Sequence, residues 1–360
     1  MSRPAPIPRH IALDATYAVG DALSGVGLYS REILLGLAGA HPESRFDFCY
    51  RPHRYLRARR DALPPNARRR VLGGPLGPRG AELFHGLNQR LPRLSLPLRR
   101  AGAALAVATF HDLFVMTGDY STPEFRARFT LQAREAAARA DAAIAVSEFT
   151  RRQVISLLGV DPAKVHVVHH GIRQLPPAGD AAHAREQVVL NVGAIQKRKN
   201  IVRLVEAFET LPPPWQLVLA GSHGYGATDA LARIECSPAR DRIRATGYVT
   251  PAELAGWYAR ASIFAFPSLD EGFGMPVLEA MAAGIPVITS NRSALPEVAG
   301  DAALLVDPGD TDALRQALGE LTGNLELRRD LVLRGRARAR TFTWAKAVRE
   351  TWDVYQTLLG

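Results

Sequence analysis

The chain has 360 residues, 47% hydrophobic and 22% charged, which is enough to bury one large core or, more commonly at this length, two smaller ones. No apolar run reaches the roughly 18–20 residues of a membrane span, and no apolar stretch follows the basic residues at the start, so neither a transmembrane helix nor a signal peptide is expected. The two cysteines, Cys49 and Cys236, lie outside any CxxC spacing, which argues against a disulfide framework and a cysteine-built zinc site. A cytoplasmic protein fits these features.

The positive charge of the chain is concentrated in its first half. Residues 1–185 hold 26 Lys and Arg against 15 Asp and Glu, whereas residues 186–360 hold 19 against 20. Residues 51–100 alone contain thirteen arginines and two acids. Such a basic face favours an anionic partner (nucleic acid, anionic lipid headgroups or a pyrophosphate-bearing substrate), but a merely solvated face is an equal alternative. Since no helix-turn-helix, RNA-binding or zinc pattern occurs, we expect no nucleic acid partner.

Short apolar runs alternate with amphipathic stretches of helical period along the chain. The first half predicts strands at 10–14, 46–50, 104–110, 142–146 and 165–168, with helices near 27–39, 124–140 and 148–158. The second half predicts strands at 188–192, 216–220, 263–266, 286–289 and 303–306, with helices near 200–210, 251–261, 276–283, 311–322, 325–340 and 343–359. Continuous apolar strands separated by helices are typical of parallel sheets covered on both faces. The sequence therefore predicts an α/β protein with two doubly wound domains.

A stretch rich in Pro, Gly and Ala at 174–182 separates the two series and is the predicted linker. In open α/β sheets, ligands bind beyond the carboxyl ends of the strands. Two such domains face to face would place a site in the cleft between them.

The densest motif runs from 266 to 289. A strand ends at its start, a glycine loop follows with Glu271 and Gly274, and a helix is predicted to begin at Pro276. Backbone N–H groups at such a helix start bind anions, and the glycines let a ligand approach closely. Glu271 before the helix and Glu279, expected on its first turn, could accept hydrogen bonds from sugar or ribose hydroxyls at opposite ends of a ligand. The alternative for Glu279 is a favourable interaction with the helix dipole alone.

A second cluster, residues 193–200, lies between a strand and a helix. It contains Lys197 and Lys199, half of the four lysines in the chain, and Arg198. These cations suit phosphate oxygens, although a solvated basic turn is the alternative.

Two weaker signals lie in the first half. Residues 24–32 form a glycine-rich segment at Gly25 and Gly27, but Ser30 breaks the G-x-G-x-x-G spacing of a dinucleotide site. His111 and Asp112 follow a predicted strand, where a histidine could bond a sugar or move a proton, the alternative being a structural histidine.

Together the four clusters resemble the retaining family-4 glycosyltransferases, which have the GT-B fold. The motifs that carry the resemblance are EGFGMPVLE (271–279), GAIQKRKN (193–200), GYVTPAEL (247–254), SNRSALPEV (290–298), GVGLYSREIL (25–34), HDL (111–113), AVSEFT (145–150) and HHGI (169–172). The resemblance covers nearly the whole chain. It implies two Rossmann-like domains facing a central cleft: an acceptor-binding domain at 1–175, to which the last helix at about 342–360 returns, and a nucleotide-sugar-binding domain at 186–341.

The resemblance implies catalytic roles for four residues. Lys199 and Arg198 would bind the pyrophosphate of a nucleotide sugar and stabilise the departing diphosphate. Glu271 would hold the donor sugar, and His111 would face that sugar near its anomeric carbon. Many relatives carry an arginine directly after the glycine at 193, where this chain has Ala194, and Arg198 is expected to supply that charge.

Further residues are implied in donor binding. Glu279 would hold the ribose hydroxyls, and Tyr248 and Val249 would lie against the base. Gly25 and Gly27 would form a loop near the phosphates and the acceptor. The implied donor-binding set is Gly25, Gly27, Arg198, Lys199, Tyr248, Val249, Glu271, Phe273, Gly274, Met275 and Glu279, with the backbone of 273–275 on the sugar.

The resemblance also implies the chemistry. The family works without a bound metal or another cofactor, so cationic side chains and a helix N-terminus would stabilise the leaving group. Retention would follow from attack on the face that the diphosphate leaves, with the diphosphate taking the acceptor's proton. The glycosidase alternative needs two carboxylates flanking one bond, and it is rejected because the resemblance places Glu279 on ribose.

The leading hypothesis is a cytoplasmic glycosyltransferase, peripheral on the inner face of the plasma membrane. It would move a hexose, mannose from GDP-mannose, to a surface polysaccharide or lipid-linked glycan, because residues 193–200 and 167–172 resemble mannosyltransferase-like members. UDP-glucose and UDP-N-acetylglucosamine are alternative donors. A nucleotide-sugar epimerase would turn over without an acceptor, and a non-catalytic glycan-binding protein would not turn over at all.

Overall fold

The computed structural model describes residues 7–20, 23–73, 79–92, 105–173 and 185–360. The chain divides into two compact units: unit 1 comprises Met1–Leu113, Glu124–Gly171 and Thr343–Gly360, and unit 2 comprises Phe114–Pro123 and Ile172–Phe342. Nothing in the sequence predicted that Phe114–Pro123 groups with the second half. The expected linker at 174–182 lies outside the described residues.

Unit 1 contains a seven-stranded parallel sheet. Its strands are β1 (His10–Asp14), β2 (Arg45–Tyr50), β3 (Ala67–Val71), β4 (Leu83–Gly86), β5 (Leu105–Phe110), β6 (Ala142–Ala145) and β7 (Val165–Val167). They lie in the order β3-β2-β1-β4-β5-β6-β7, so the strand order reverses between β1 and β4. Leu13 is paired with Phe48 of β2 on one side and His85 of β4 on the other.

Unit 2 contains a six-stranded parallel sheet of the same winding. Its strands are β8 (Glu186–Val192), β9 (Gln216–Ala220), β10 (Ile243–Gly247), β11 (Ala261–Phe266), β12 (Val287–Ser290) and β13 (Leu304–Val306). The order β10-β9-β8-β11-β12-β13 places the reversal between β8 and β11. The predicted α/β class with two doubly wound, Rossmann-like units is confirmed.

Helices connect the strands in both units. The described helices are α1 (Gly25–Ala40), α2 (Pro52–Ala58), α3 (Phe114–Thr117), α4 (Pro123–Arg139), α5 (Glu148–Leu158), α6 (Ile201–Phe208), α7 (Ala227–Glu235), α8 (Pro251–Arg260), α9 (Met275–Ala282), α10 (Leu295–Ala299), α11 (Thr311–Gly323), α12 (Leu325–Ala339) and α13 (Trp344–Leu359). Side chains of Ser24, Ser147, Thr250 and Thr343 cap the starts of α1, α5, α8 and α13.

The last helix belongs to the core of unit 1. Trp352 and Tyr355 of α13 are buried with Ile33 of α1 and with the sheet residues Phe46 and Phe48. A methyl group on Gly36 of α1 would lie only 2.4 Å from Val348 of α13, so a glycine is needed where these two helices cross. Within the described ranges, no helix is both long and apolar enough to cross a bilayer.

Candidate functional site

The reversal of strand order in unit 2 brings two predicted motifs together. The chain leaves β8 at Gly193 and β11 at Pro267, at the same edge of the sheet, which is where ligands bind in open α/β sheets. The side chain of Asn200 connects the two loops, because its amide donates to the carbonyl oxygen of Pro267, directly after β11, at 3.1 Å. The same amide donates to the carbonyl oxygen of Pro308, which follows β13, at 2.7 Å. The N–H of Leu269 adds a bond to the carbonyl of residue 198 at 2.7 Å.

Two cations and one carboxylate form the centre of this edge. The Lys199 ammonium lies 2.5 Å from Glu271 Oε1, and the Arg198 guanidinium lies 2.8 Å from Oε2. Lys199 is 6% exposed and Glu271 is 8% exposed, and the ammonium also sits over the Phe266 ring at 4.3 Å. Burial works to raise the pKa of Glu271, but Arg198 and Lys199 outweigh it and lower the pKa to about 2. The cluster is therefore charged at neutral pH and carries a net positive charge.

Arg198 is held on several sides. Its Nε donates to Gln196 Oε1 at 3.2 Å, its Nη1 donates to the carbonyl of Asp270 at 3.0 Å, and the guanidinium stacks over the Phe114 ring at 4.4 Å. The Asp270 carboxylate in turn accepts from Thr117 Oγ1 at 3.0 Å. Phe114 and Thr117 were not predicted from the sequence. An aromatic residue directly after the HDL motif was the available signal.

Lys197 occupies a different environment from its neighbour Lys199. Its ammonium pairs with Asp119 at 2.9 Å, and both side chains are about half exposed or more. The basic segment thus divides into one surface lysine and two cations that hold Glu271.

The start of α9 borders the charged cluster in sequence. Gly274 has φ +107°, and a methyl group there would lie 2.6 Å from Leu295, so this position requires glycine. Phe273 and Met275 are buried beside it. The helix begins at Met275, so Glu279 lies in the second turn, and the expectation that it lies on the first turn was wrong.

Glu279 is surrounded by residues that the motifs did not include. It is 4% exposed, its Oε2 accepts from the Tyr258 hydroxyl at 2.9 Å, and its Oε1 lies 3.3 Å from Arg173 Nε. Burial raises its pKa, while Arg173 and Tyr258 act in the opposite direction. Tyr258 follows the predicted GYVTPAEL motif by four residues, and Arg173 directly follows HHGI, so proximity to a motif was the only signal for either.

Tyr248 and Val249 lie on the link between β10 and α8. Tyr248 is 62% exposed and Val249 is half-buried. They follow the carboxyl end of β10, two strands from β8 on the edge that carries Lys199. An exposed tyrosine at this edge is available to lie against a planar ligand group.

In unit 1, His111 follows β5 and is buried. Its Nε2 lies 2.9 Å from the carbonyl of Leu87, and its Nδ1 lies 3.4 Å from His170 Nε2. The two imidazoles stack at 5.3 Å, and the Tyr29 ring meets both edge-on. Burial lowers the pKa of His111 to about 4, so the ring is neutral at neutral pH. His170, whose motif was noted without a role, was missed as its partner.

Gly25 and Gly27 were expected in a loop, and this was wrong: both lie in the first turn of α1. The Gly27 N–H donates to Ser24 Oγ at 3.2 Å, and a methyl group on Gly27 would lie 2.8 Å from the carbonyl of Tyr17. Around Gly25 there is open space. Close packing explains Gly27, whereas packing does not explain Gly25.

Among the described residues, no group of three or more His, Cys, Asp or Glu side chains is arranged to hold a metal ion. The sequence contains an Asp-x-Asp spacing at Asp310 and Asp312, of the kind used by metal-dependent transferases. In the structure Asp310 caps α11 by accepting from the N–H groups of Asp312 and Ala313, and Asp312 pairs with Arg315. Helix capping accounts for this spacing.

Comparisons with known proteins agree with this architecture. The model of the family "Glycosyl transferases group 1" matches residues 179–338, and that of "Glycosyltransferase Family 4" matches residues 35–173. The O-antigen chain mannosyltransferase B of Escherichia coli is 32% identical over 291 residues, covering 77% of this chain and 74% of the relative. The serotype-specific mannosyltransferase WbdA of Escherichia coli is 27% identical over 70% of this chain, which spans only 33% of that relative.

Solved structures share the fold. Sucrose-phosphate synthase from Thermosynechococcus elongatus superposes with a TM-score of 0.77 at 23% identity, covering 97% of this chain and 99% of the other.

Proposed function

The chain belongs to the glycosyltransferases of group 1 and family 4, with the GT-B fold, and from this premise we propose that it transfers mannose from GDP-mannose to a polysaccharide or lipid-linked glycan, with retention and without a bound metal. That it is a glycosyltransferase follows from its family. The donor, the stereochemistry and the acceptor are the proposed parts. Support for mannose comes from the mannosyltransferase names of the first two relatives.

The observation that carries the mechanism is the buried cluster of Lys199, Arg198 and Glu271 beyond the reversal of strand order. In the proposed reaction the bond between the anomeric carbon and the diphosphate oxygen breaks while the acceptor oxygen bonds to the same face. The acceptor proton passes to the departing diphosphate. Lys199 and Arg198 stabilise the charge that develops on that diphosphate, which is the role for which preorganised cations are most effective.

The remaining roles in this proposal are those that the family resemblance implies. Glu271 fixes both cations and accepts hydrogen bonds from the donor sugar, with the backbone of 273–275 beside it. Glu279 accepts from the ribose hydroxyls, and Tyr248 and Val249 lie against the base. Arg198, held by Gln196 and Phe114, supplies the charge that many relatives place at the position of Ala194. His111 faces the sugar as a neutral ring, and Gly25 lets the acceptor or phosphates approach α1.

A thermal-shift screen against GDP, UDP, ADP and their sugar conjugates, with a chelator present, tests the donor. A ligand that binds only the folded protein at a hundredfold excess over Kd adds about 2.7 kcal/mol of stability. We expect the largest shift with GDP and GDP-mannose, and release of GDP with an α-linked product once an acceptor is supplied. A selective shift with UDP compounds would replace mannose by another hexose, turnover without an acceptor would indicate an epimerase, and no shift at all would contradict the donor site.

We also propose that unit 1 binds the cytoplasmic face of an anionic membrane through α2. This helix is anchored by the buried Ala58 and presents Leu56, 71% exposed, between basic side chains. The exposed arginines next to it in the chain are Arg57, Arg59 and Arg60. An apolar side chain among arginines suits the headgroup region of anionic lipids, and each cation near such a surface adds about 1 kcal/mol.

Sedimentation with vesicles tests this docking. Binding to vesicles containing phosphatidylglycerol should exceed binding to neutral phosphatidylcholine vesicles and should weaken as salt rises. Leu56→Ser and Arg57→Gln should each reduce it, while Leu333→Ser, an exposed leucine of unit 2, serves as the matched control. Binding that does not change between low and high salt would contradict the proposal.

A further inference from the structure

The carboxylate of Glu279 has a different partner on each oxygen. Tyr258 of α8 donates its hydroxyl to Oε2 at 2.9 Å, and Arg173 presents its Nε to Oε1 at 3.3 Å. Tyr258 is 1% exposed, whereas the Arg173 side chain is 27% exposed. Glu279 is therefore held by one buried neutral donor and by one cation that reaches in from the surface.

Holding this carboxylate in its charged form requires such partners. A carboxylate out of water favours its neutral form unless a cation or a hydrogen-bond donor compensates. Burial raises the pKa of Glu279, and the two groups that act against it are Arg173 first and Tyr258 second. Arg173 is thus the cation that keeps this side chain an acceptor.

The groups that act on the pKa of Glu279 are Arg173 and Tyr258, besides burial itself. From α12, Arg336 lies against Gly284, and Arg338 donates to carbonyl oxygens of α10. Strands β11 and β12 carry no titratable side chain. Within the described part of unit 2, the local charge at Glu279 is therefore set by Arg173.

The remaining acceptor capacity of Glu279 matches a vicinal diol. An ionised carboxylate offers about four lone-pair sites and no donor. Tyr258 takes one site and Arg173 takes another, which leaves about two for incoming hydroxyl groups. A protonated carboxyl would instead present one donor and fewer acceptor sites.

We infer that Arg173 and Tyr258 are positioning residues for the nucleotide: they hold Glu279 negatively charged and oriented so that it accepts hydrogen bonds from both ribose hydroxyls. This inference rests on the proposed function, in which Glu279 meets the ribose. It extends the donor site to two residues that do not themselves contact the reacting atoms.

Calorimetric titration with paired nucleotides tests the inference. The probes are GDP, UDP and ADP, each beside its dideoxy analogue, which lacks both ribose hydroxyls but keeps the base and the phosphates. The ratio of the two affinities, the ribose preference, is measured from about pH 6 to about pH 9. Because both members of a pair carry the same phosphates, their titration cancels in the ratio.

For the wild type we expect a ribose preference of about tenfold or more that changes little with pH. In Arg173→Met the pKa of Glu279 rises further, so the preference should fall towards one near pH 6. It should then recover towards the wild-type value as the pH increases and the carboxyl ionises. Arg173→Lys should restore a preference close to that of the wild type, and Tyr258→Phe should lower it severalfold at every pH.

Arg260→Met is the matched control, because it removes a cation of α8 that lies 3.7 Å from Glu186, donates to the carbonyl of Gly256 at 3.3 Å and stacks on Trp257. A purely structural role of Arg173 would weaken both nucleotides of a pair equally and leave the ratio unchanged. That result, or an Arg173→Met variant with wild-type preference near pH 6, overturns the inference while the proposed function stands. Wild-type protein that binds no nucleotide overturns both. If Arg173→Met does not fold, an unchanged ribose preference in Tyr258→Phe decides against the inference.

Discussion

The two units accommodate buried polar groups at the carboxyl ends of their sheets by opposite means. In unit 1, His85 lies 2.5 Å from the Tyr355 hydroxyl and 2.8 Å from Thr109 Oγ1, which in turn lies 3.0 Å from the Tyr29 hydroxyl. His111 is likewise buried and neutral. In unit 2, Lys199, Arg198 and Glu271 are buried as charges that compensate one another.

This difference suits the two units to different roles in the proposed reaction. Neutral rings fixed by hydrogen bonds keep their shape without attracting ions, which suits a surface that positions a sugar or an acceptor. Paired charges in a low-dielectric environment exert a strong local field, which suits the unit that, in the proposed reaction, stabilises the departing diphosphate. Replacing charge in one unit and protonating histidines in the other should therefore have distinct effects.

The largest effect is expected from removing one cation of the charged cluster. Lys199→Met leaves Glu271 with Arg198 alone and removes a donor from the leaving group, so kcat for transfer should fall about 10²–10³-fold. Lys197→Met, which loses only a surface pair with Asp119, should stay within about threefold of the wild type. Steady-state kinetics with GDP-mannose measures both. Equal losses in the two variants would show that the buried and the exposed lysine do not differ in function.

The next largest effect is the loss of stability of unit 1 at acidic pH. Burial lowers the pKa of His85 to about 3 and that of His111 to about 4, from 6.5. Below 6.5 the unfolded state binds these protons and the folded state does not, so unit 1 loses stability as the pH falls through that range. As the pH falls from 6.5 to about 5.5, the free energy of unfolding decreases by about 2 kcal/mol for the two rings together. The stabilisation from Glu271 is complete above 4.5 and is lost only as the pH falls towards about 2.

Hydrogen exchange followed by mass spectrometry separates the two responses. At about pH 5.5, peptides from β4 and β5 should exchange faster than at about pH 7, after correction for the intrinsic rate, while peptides from β8 and β11 should change little. The raised pKa of Asp270 and Glu279 works against acid loss in unit 2. If peptides from β8 and β11 instead exchange faster than those from β4 and β5 as the pH falls, the expected difference between burying neutral histidines and burying paired charges is contradicted.

The sequence was sufficient for most of the central strands and for the shared winding of the sheets, but the short central strand β4 (Leu83–Gly86) was not predicted. Runs such as 188–192 and 263–266 are apolar throughout, because both faces of a central parallel strand are covered.

The edge strands β3 and β10 were also missed, because their sequences, ARRRV and IRATG, carry arginines. In β3, Arg68 is exposed, Arg69 donates to the carbonyl of Ala58, and Arg70 pairs with the buried Asp47. These two strands lack the continuous apolar signal on which the prediction depended, whereas the edge strands β7 and β13 were predicted.

The sequence was sufficient for the motif residues of the site but not for their partners. Lys199 and Glu271 were predicted from the motifs, and their separation of 72 positions in the chain closes to 2.5 Å because β8 and β11 are neighbours. Phe114, Arg173 and Tyr258 lie close to motifs in the chain but outside them, and His170 lies in a motif without an assigned role. All four contact the site residues through tertiary structure. No local pattern encodes such contacts, so they could not be predicted.

The smallest effect compares two helix starts, one in each unit. At the start of α9, Gly274→Ala forces a side chain into φ +107° and against Leu295, and it should lower the free energy of unfolding by about 1–3 kcal/mol. At the start of α1, Gly25→Ala meets open space and should change stability by less than about 0.5 kcal/mol. Chemical denaturation measures both values. If Gly25→Ala keeps its stability yet loses transfer activity, Gly25 is retained for the approach of a ligand to the backbone. If Gly25→Ala keeps both its stability and its transfer activity, α1 tolerates a side chain at position 25. In that case unit 1 contacts its ligand through His111 rather than through the start of α1.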